Sequence, residues 1–108
     1  MTIPRFVLIG GGWRAEFYLR IVAELPERLA ITGLLVRDAD KGARLEQRFG
    51  VRTYRTLDEL LAAGAPEFVV TCVAWDANPD MVAELVARGL PVLSETPPAR
   101  RVEGLQAL

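Results

Sequence analysis

Small residues, rather than acids and bases, carry the first sign of chemistry in this chain. Gly10, Gly12 and Ala15 follow the apolar run Phe6-Val7-Leu8-Ile9 at the spacing G-x-G-x-x-A. Each position answers a physical demand. Gly10 lets the chain leave a strand in a turn that a Cβ would obstruct. Gly12 allows the backbone to lie against a pyrophosphate with no side chain between them. Ala15 is small enough for the next helix to pack closely on the sheet. That helix presents unpaired N–H groups and a partial positive charge to a phosphate. Glycine turns after strands also occur for purely structural reasons, so the surrounding elements decide between the two readings.

Other reactive groups are few. Histidine is absent, which removes the commonest general base and zinc ligand. The single cysteine, Cys72, cannot form an intrachain disulfide and reads as a buried, inert thiol within its apolar run. Thirteen basic and fourteen acidic residues leave a net charge of −1, so no global field draws nucleic acid or an anionic membrane. Neither is an expected partner. The carboxylate pairs Asp38/Asp40 and Asp58/Glu59 read as helix caps and first-turn acids. No cationic segment followed by a long apolar one opens the chain, and no apolar run reaches membrane-spanning length, so a cytoplasmic protein is expected.

The 108 residues suit one domain with one core. Strand one covers Arg5–Ile9. A helix from Trp13 to about Leu25 carries Trp13, Phe17, Ile21 and Leu25 every four residues, with Tyr18 and Val22 beside them, as its core face. Strand two spans Leu29–Val36 despite Gly33, and Arg37-Asp38-Ala39-Asp40 breaks it, either aspartate capping a helix from about Lys41 to Phe49. Ala43, Leu45 and Phe49 form that helix's stripe, and Gly50 ends it. Val51–Tyr54 is strand three. Thr56-Leu57-Asp58-Glu59 has the spacing of a capping box and opens a short helix to Ala63. Glu67–Ala74 is a buried central strand. Asn78 as cap and Pro79 at the first helical position begin a further helix, with Val82, Leu85 and Val86 buried and Gly89 as its stop. Leu90–Leu93 is strand five, Glu95-Thr96-Pro97-Pro98 a loop, and Val102, Leu105 and Leu108 the start of another helix.

Strands alternating with helices over short connections predict an α/β fold: a doubly wound parallel sheet in a three-layer αβα arrangement, strand order 3-2-1-4-5. Ligands of such a sheet bind at the crevice between strands one and four. The glycine loop, the loop Ala74–Asn78 and Glu95 all reach that crevice.

In this order and spacing the segments resemble the N-terminal domain of the glucose–fructose oxidoreductase and inositol dehydrogenase family (Gfo/Idh/MocA). The resemblance runs along the whole chain. It is carried by the Gly10–Ala15 loop, Arg37-Asp38-Ala39-Asp40-Lys41, Phe49-Gly50-Val51 leading to Tyr54, Leu57-Asp58-Glu59-Leu60-Leu61 and the strand Phe68–Val73. It ends in Gly89-Leu90-Pro91-Val92-Leu93-Ser94-Glu95-Thr96-Pro97, similar to the family's G-K-H-V-L-C-E-K-P. The resemblance implies a Rossmann domain binding a nicotinamide dinucleotide, in an oxidoreductase that moves a hydride to or from a sugar, cyclitol or related small substrate. It also implies a second, α+β domain supplying most of the substrate site and often an oligomer interface. That domain is absent from residues 1–108, which read as a truncated piece not active alone. Cofactor contacts are expected at Gly10, Gly12, Trp13, Arg14, Ala15, Arg37, Ala74, Asn78 and Glu95.

Two departures qualify the implication. Thr96 stands where the family has the lysine of E-K-P, and a hydroxyl carries no charge and is a poor proton donor at neutral pH. No catalytic residue is therefore assigned, and the alternative is a non-catalytic nucleotide-binding or regulatory module. The histidine common after strand four is absent too, with Asn78-Pro79 near its place. At the end of strand two, where NAD-preferring domains hold an acid, this chain has Val36 followed by Arg37. Arg37 can pair with a 2′-phosphate, which points to NADP with NAD as the alternative, unless it is only a solvated surface residue. Trp13 is either the first core residue of its helix, the reading favoured here, or a lid over the cofactor. Trp75 lines the nicotinamide pocket, packs on another domain or lies on the surface.

Overall fold

Apolar residues on both faces of the central strands make the sheet. In a computed structural model, which describes residues 3–73 and 77–94, strands and helices alternate from end to end. The order is β1 (Arg5–Ile9), α1 (Trp13–Glu24), β2 (Ala30–Leu35), α2 (Ala39–Phe49), β3 (Thr53–Tyr54), α3 (Leu57–Ala62), β4 (Phe68–Thr71), α4 (Asn78–Ala87) and β5 (Val92–Ser94). The sheet runs β3-β2-β1-β4-β5 with every neighbouring pair parallel. This is the expected Rossmann-like order, with β1 at its centre between β2 and β4. Among the described residues no helix is long and apolar enough to cross a membrane.

The period of two in β1 divides the core. Phe6 and Leu8 pack with Ala15 and Leu19 of α1, Leu34 and Leu45 on one face. Val7 and Ile9 pack with Leu35, Leu57 and Leu60 of α3, Val69 and Leu85 of α4 on the other. Three layers follow. Gly33 is explained by the second face: a Cβ there would lie 2.8 Å from Leu60 Cδ1 and 3.1 Å from Tyr54 Cε2.

The helices correct several sequence expectations. In α1 the buried residues are Ala15 and Leu19, with Tyr18 and Val22 packed beside them, whereas Trp13 is 72% and Phe17 49% exposed. A residue every four positions drifts about 40° per step at 3.6 residues per turn, so a stripe begun at Trp13 winds off the core. In α2, Gly42 and Leu45 are buried and Ala43 is exposed. Asp38, not Asp40, is the cap. Thr56 Oγ1 accepts from the Glu59 amide at 3.2 Å, while Glu59 Oε1 accepts from the Thr56 hydroxyl at 3.0 Å instead of closing the box on a backbone amide. The residue capping α4 is Ala77, without a side-chain bond, and Asn78 already lies inside the helix. The expected C-terminal helix around Val102 lies outside the described residues.

Candidate functional site

The carboxyl ends of β1, β2 and β4 open on one cleft of about 690 Å³, a size that suits a small-molecule ligand. Its floor is the glycine loop, Gly10 to Gly12. One wall is the β2 end with Val36, Arg37, Asp38 and Lys41; the other is Cys72, Val73 and the start of α4.

The loop is built by two backbone bonds. Gly10 N–H donates to Leu35 O at 2.9 Å, and Cys72 N–H donates to Ile9 O at 2.7 Å. The chain between them turns sharply, with Gly10 at φ 127°, and a Cβ there would lie 2.3 Å from the Cys72 carbonyl oxygen. Gly11 is close-packed as well: a Cβ would lie 3.1 Å from Val36 Cγ1 and 3.3 Å from Lys41 Cδ. Gly12 differs from both. It is the N-cap of α1 in ordinary extended backbone, φ −83° and ψ −170°, and a Cβ on it would meet no atom within 4 Å among the described residues. Neither conformation nor packing demands a glycine at that point.

On the β2 side, Arg37 is exposed and makes no ion pair among the described residues. The neighbouring Asp38 is engaged with its own helix. Its Oδ1 accepts from the amides of Asp40 at 2.9 Å and Lys41 at 3.2 Å. Hydrogen bonds from Lys41 and Asp40 hold its carboxyl below the usual carboxylate range. A carboxylate whose folded pKa is depressed stabilises above its unfolded pKa, and the effect is lost as pH falls through the folded value. Asp38→Ala is therefore expected to lower the melting temperature by a few degrees at neutral pH. Asp38→Asn should keep most of the cap and flatten the acid limb of a melting-temperature-against-pH curve.

The expected contact residues divide into groups. Gly10, Gly12 and Arg37 line the cleft. Ala15 is fully buried between α1 and the sheet, where it sets their close approach. Trp13 stands exposed, not in the core, with the Arg14 guanidinium 4.7 Å from its ring centroid. Asn78 is buried and does not cap α4; its Nδ2 donates to Ser94 Oγ at 2.8 Å, tying that helix to the end of β5. Ala74, Trp75, Glu95 and Thr96 lie outside the described residues. Cys72 is half-buried in the cleft wall rather than enclosed. Sequence reasoning missed Lys41, whose stem covers Gly11, and the acidic pair Asp80 and Glu84 on the opposite wall. Their i, i+4 spacing on one helix face was the available signal.

The arrangement has counterparts. The sequence profile of an oxidoreductase family with an NAD-binding Rossmann fold, Gfo/Idh/MocA, matches residues 4–108. The rhizopine catabolism protein MocA of Rhizobium meliloti is 33% identical over 100 residues, covering 90% of this chain and 30% of that protein. GenD2 from gentamicin A biosynthesis, solved in complex with NAD, superposes with a TM-score of 0.86 at 27% identity over 98% of this chain and 30% of its own. The WlbA dehydrogenase of Bordetella pertussis, in complex with NADH and UDP-GlcNAcA, shares the fold at a TM-score of 0.86 and 23% identity, over 99% of this chain and 33% of its own. The chain thus spans about a third of the length of these relatives. Strand order, glycine loop and profile agree: the chain belongs to the Gfo/Idh/MocA oxidoreductase family and forms its NAD-binding Rossmann domain.

Proposed function

We propose that the cleft holds a nicotinamide dinucleotide, NADP in preference to NAD, for an oxidoreductase acting on a sugar, cyclitol or related small molecule. Gly12 is the observation that carries the binding: neither its backbone conformation nor any described residue calls for a glycine there, and its bare backbone leaves the loop open to a ligand lying against it. Backbone amides in the first turn of a helix suit a pyrophosphate, and the helix dipole adds to the attraction. GenD2, solved in complex with NAD, supports the binding of a nicotinamide dinucleotide by a chain of this fold.

The NADP preference rests on the β2 end. Arg37 and Lys41 give the adenosine side of the cleft two cations, and the adjacent Asp38 carboxylate is turned into its helix cap. A guanidinium there can take a 2′-phosphate through two charge-assisted hydrogen bonds. When bound, the nicotinamide ring supplies the hydride donor or acceptor. The described residues bind and orient it.

Calorimetric titration of NADPH and NADH into wild type and Arg37→Ala tests the preference. Wild type should bind NADPH at least about tenfold tighter, and the variant should lose that margin while keeping NADH affinity, as expected for loss of one bidentate charge pair. Equal affinities unaffected by the substitution would remove NADP. A second reading keeps the binding without hydride transfer, and Thr96 in place of the family's lysine favours it. Turnover of NADPH with a sugar, keto or imine substrate by the full-length protein would end that reading.

A further inference from the structure

Val36 directly precedes Arg37, and both of its backbone groups are clamped. Its N–H donates to Tyr54 O at 2.9 Å, extending the β2–β3 ladder. Beyond Tyr54 the chain turns away into α3, and a side chain takes over from the strand. Arg55 Nη1 donates to Val36 O at 3.0 Å and to Thr53 Oγ1 at 3.1 Å. The Val36 carbonyl and the Arg37 amide belong to one planar peptide unit. Holding that carbonyl therefore fixes the direction in which the chain, with the Arg37 side chain, leaves β2.

The opposite side of the guanidinium is fitted too. Gly42 is buried in α2, and a Cβ on it would lie 2.6 Å from both terminal nitrogens of Arg55. The same glycine donates its N–H to Asp38 O at 2.9 Å, within the first turn of the helix that carries Lys41. Gly42 therefore leaves room for a guanidinium that braces the β2–α2 turn from behind. The turn carries both cations of the cleft's adenosine side.

We propose that Arg55, seated against Gly42, is a positioning residue for discrimination at the 2′ position of the adenosine ribose. It touches no cofactor; it holds Arg37 and Lys41 at the angle from which they meet a 2′-phosphate. The proposal rests on the NADP reading given above. A purely structural Arg55 would affect both cofactors alike, since they differ only at that phosphate.

The test compares Arg55→Gln, Arg55→Lys and Gly42→Ala. Gly42→Ala matters because it displaces the guanidinium without removing it, and alanine is the better helix former. NADPH and NADH dissociation constants are measured for each, together with amide hydrogen exchange. Arg55→Gln and Gly42→Ala should weaken NADPH about fivefold to tenfold and NADH less than about twofold, the scale of one ordinary hydrogen bond. Arg55→Lys, which keeps a positively charged donor on a longer stem than glutamine's, should recover part of the loss. Exchange should quicken at residues 37–42 and stay unchanged in β1 and β4. Wild type that prefers NADPH, with the preference intact in Arg55→Gln and Gly42→Ala, overturns the role of Arg55 alone. Wild type that binds both cofactors equally overturns the NADP reading and this role with it.

Discussion

Gly10→Ala is expected to destabilise the chain by about 3 kcal/mol, through a strained backbone and a clash that nothing can relieve cheaply. At φ 127° an L-residue is strained whatever space surrounds it. Here the space is filled as well, because the added methyl would lie 2.3 Å from the Cys72 carbonyl oxygen. That carbonyl cannot retreat without cost: the Cys72 amide is bonded to Ile9 O, and Gly10 is itself bonded to Leu35 O. The substitution therefore pushes β1, β2 and β4 apart at the centre of the sheet. For a domain of this size about 4 °C or more of melting temperature is lost per kcal/mol, so thermal denaturation should show a fall of about 10 °C or more. A change of only a degree or two would mean that the turn is looser than described.

Gly12→Ser should do the opposite: leave the fold intact and remove the ligand. The backbone at φ −83° and ψ −170° suits any L-residue, and serine is a better N-cap than glycine. With no described atom within 4 Å of the new Cβ, stability should be unchanged or raised by a few tenths of a kcal/mol. Dinucleotide binding should weaken at least about tenfold, because the side chain stands between the backbone amides and the pyrophosphate. Paired melting and calorimetry on this variant separate the two meanings that a glycine can have in such a loop. Loss of stability alongside binding would assign Gly12 to the fold.

The contrast between these glycines shows what could be read in advance. Strand order was legible because short connections between alternating apolar runs and amphipathic segments leave few topologies, and Phe68 to Thr71 is apolar enough to need both faces covered. The glycine loop was legible as a spacing, although only the structure separates Gly10, fixed by its neighbours, from Gly12, which is not. The face of α1 was misread in part: Ala15, Tyr18 and Val22 do face the sheet, but the four-residue repeat of large side chains wrongly put Trp13 and Phe17 there as well. Large residues at the start of a helix beside a cleft need not face the core.

Asn78 was misread for a related reason. Its type suits a cap, but its burial 2.8 Å from Ser94 Oγ is a tertiary fact with no local signal. Lys41 and Arg55 were missed because each acts across a chain reversal. The Lys41 stem reaches back over Gly11, and Arg55 reaches from the end of β3 to the end of β2. Arg37 was visible because the end of strand two is a position with its own chemistry, whatever surrounds it.

The central claim is that the glycine loop and the β2 end together hold one dinucleotide. Titration of NADPH into the 15N-labelled chain, followed by two-dimensional amide spectra, tests it most directly, since affinity and location come from one series. The account predicts saturable binding of one molecule per chain. The largest shifts should fall on Gly10 to Arg14 and on Arg37 to Lys41, and NADH should leave the second group less affected. An absence of saturable shifts at millimolar NADPH and NADH, or shifts confined to residues away from the cleft, would contradict it.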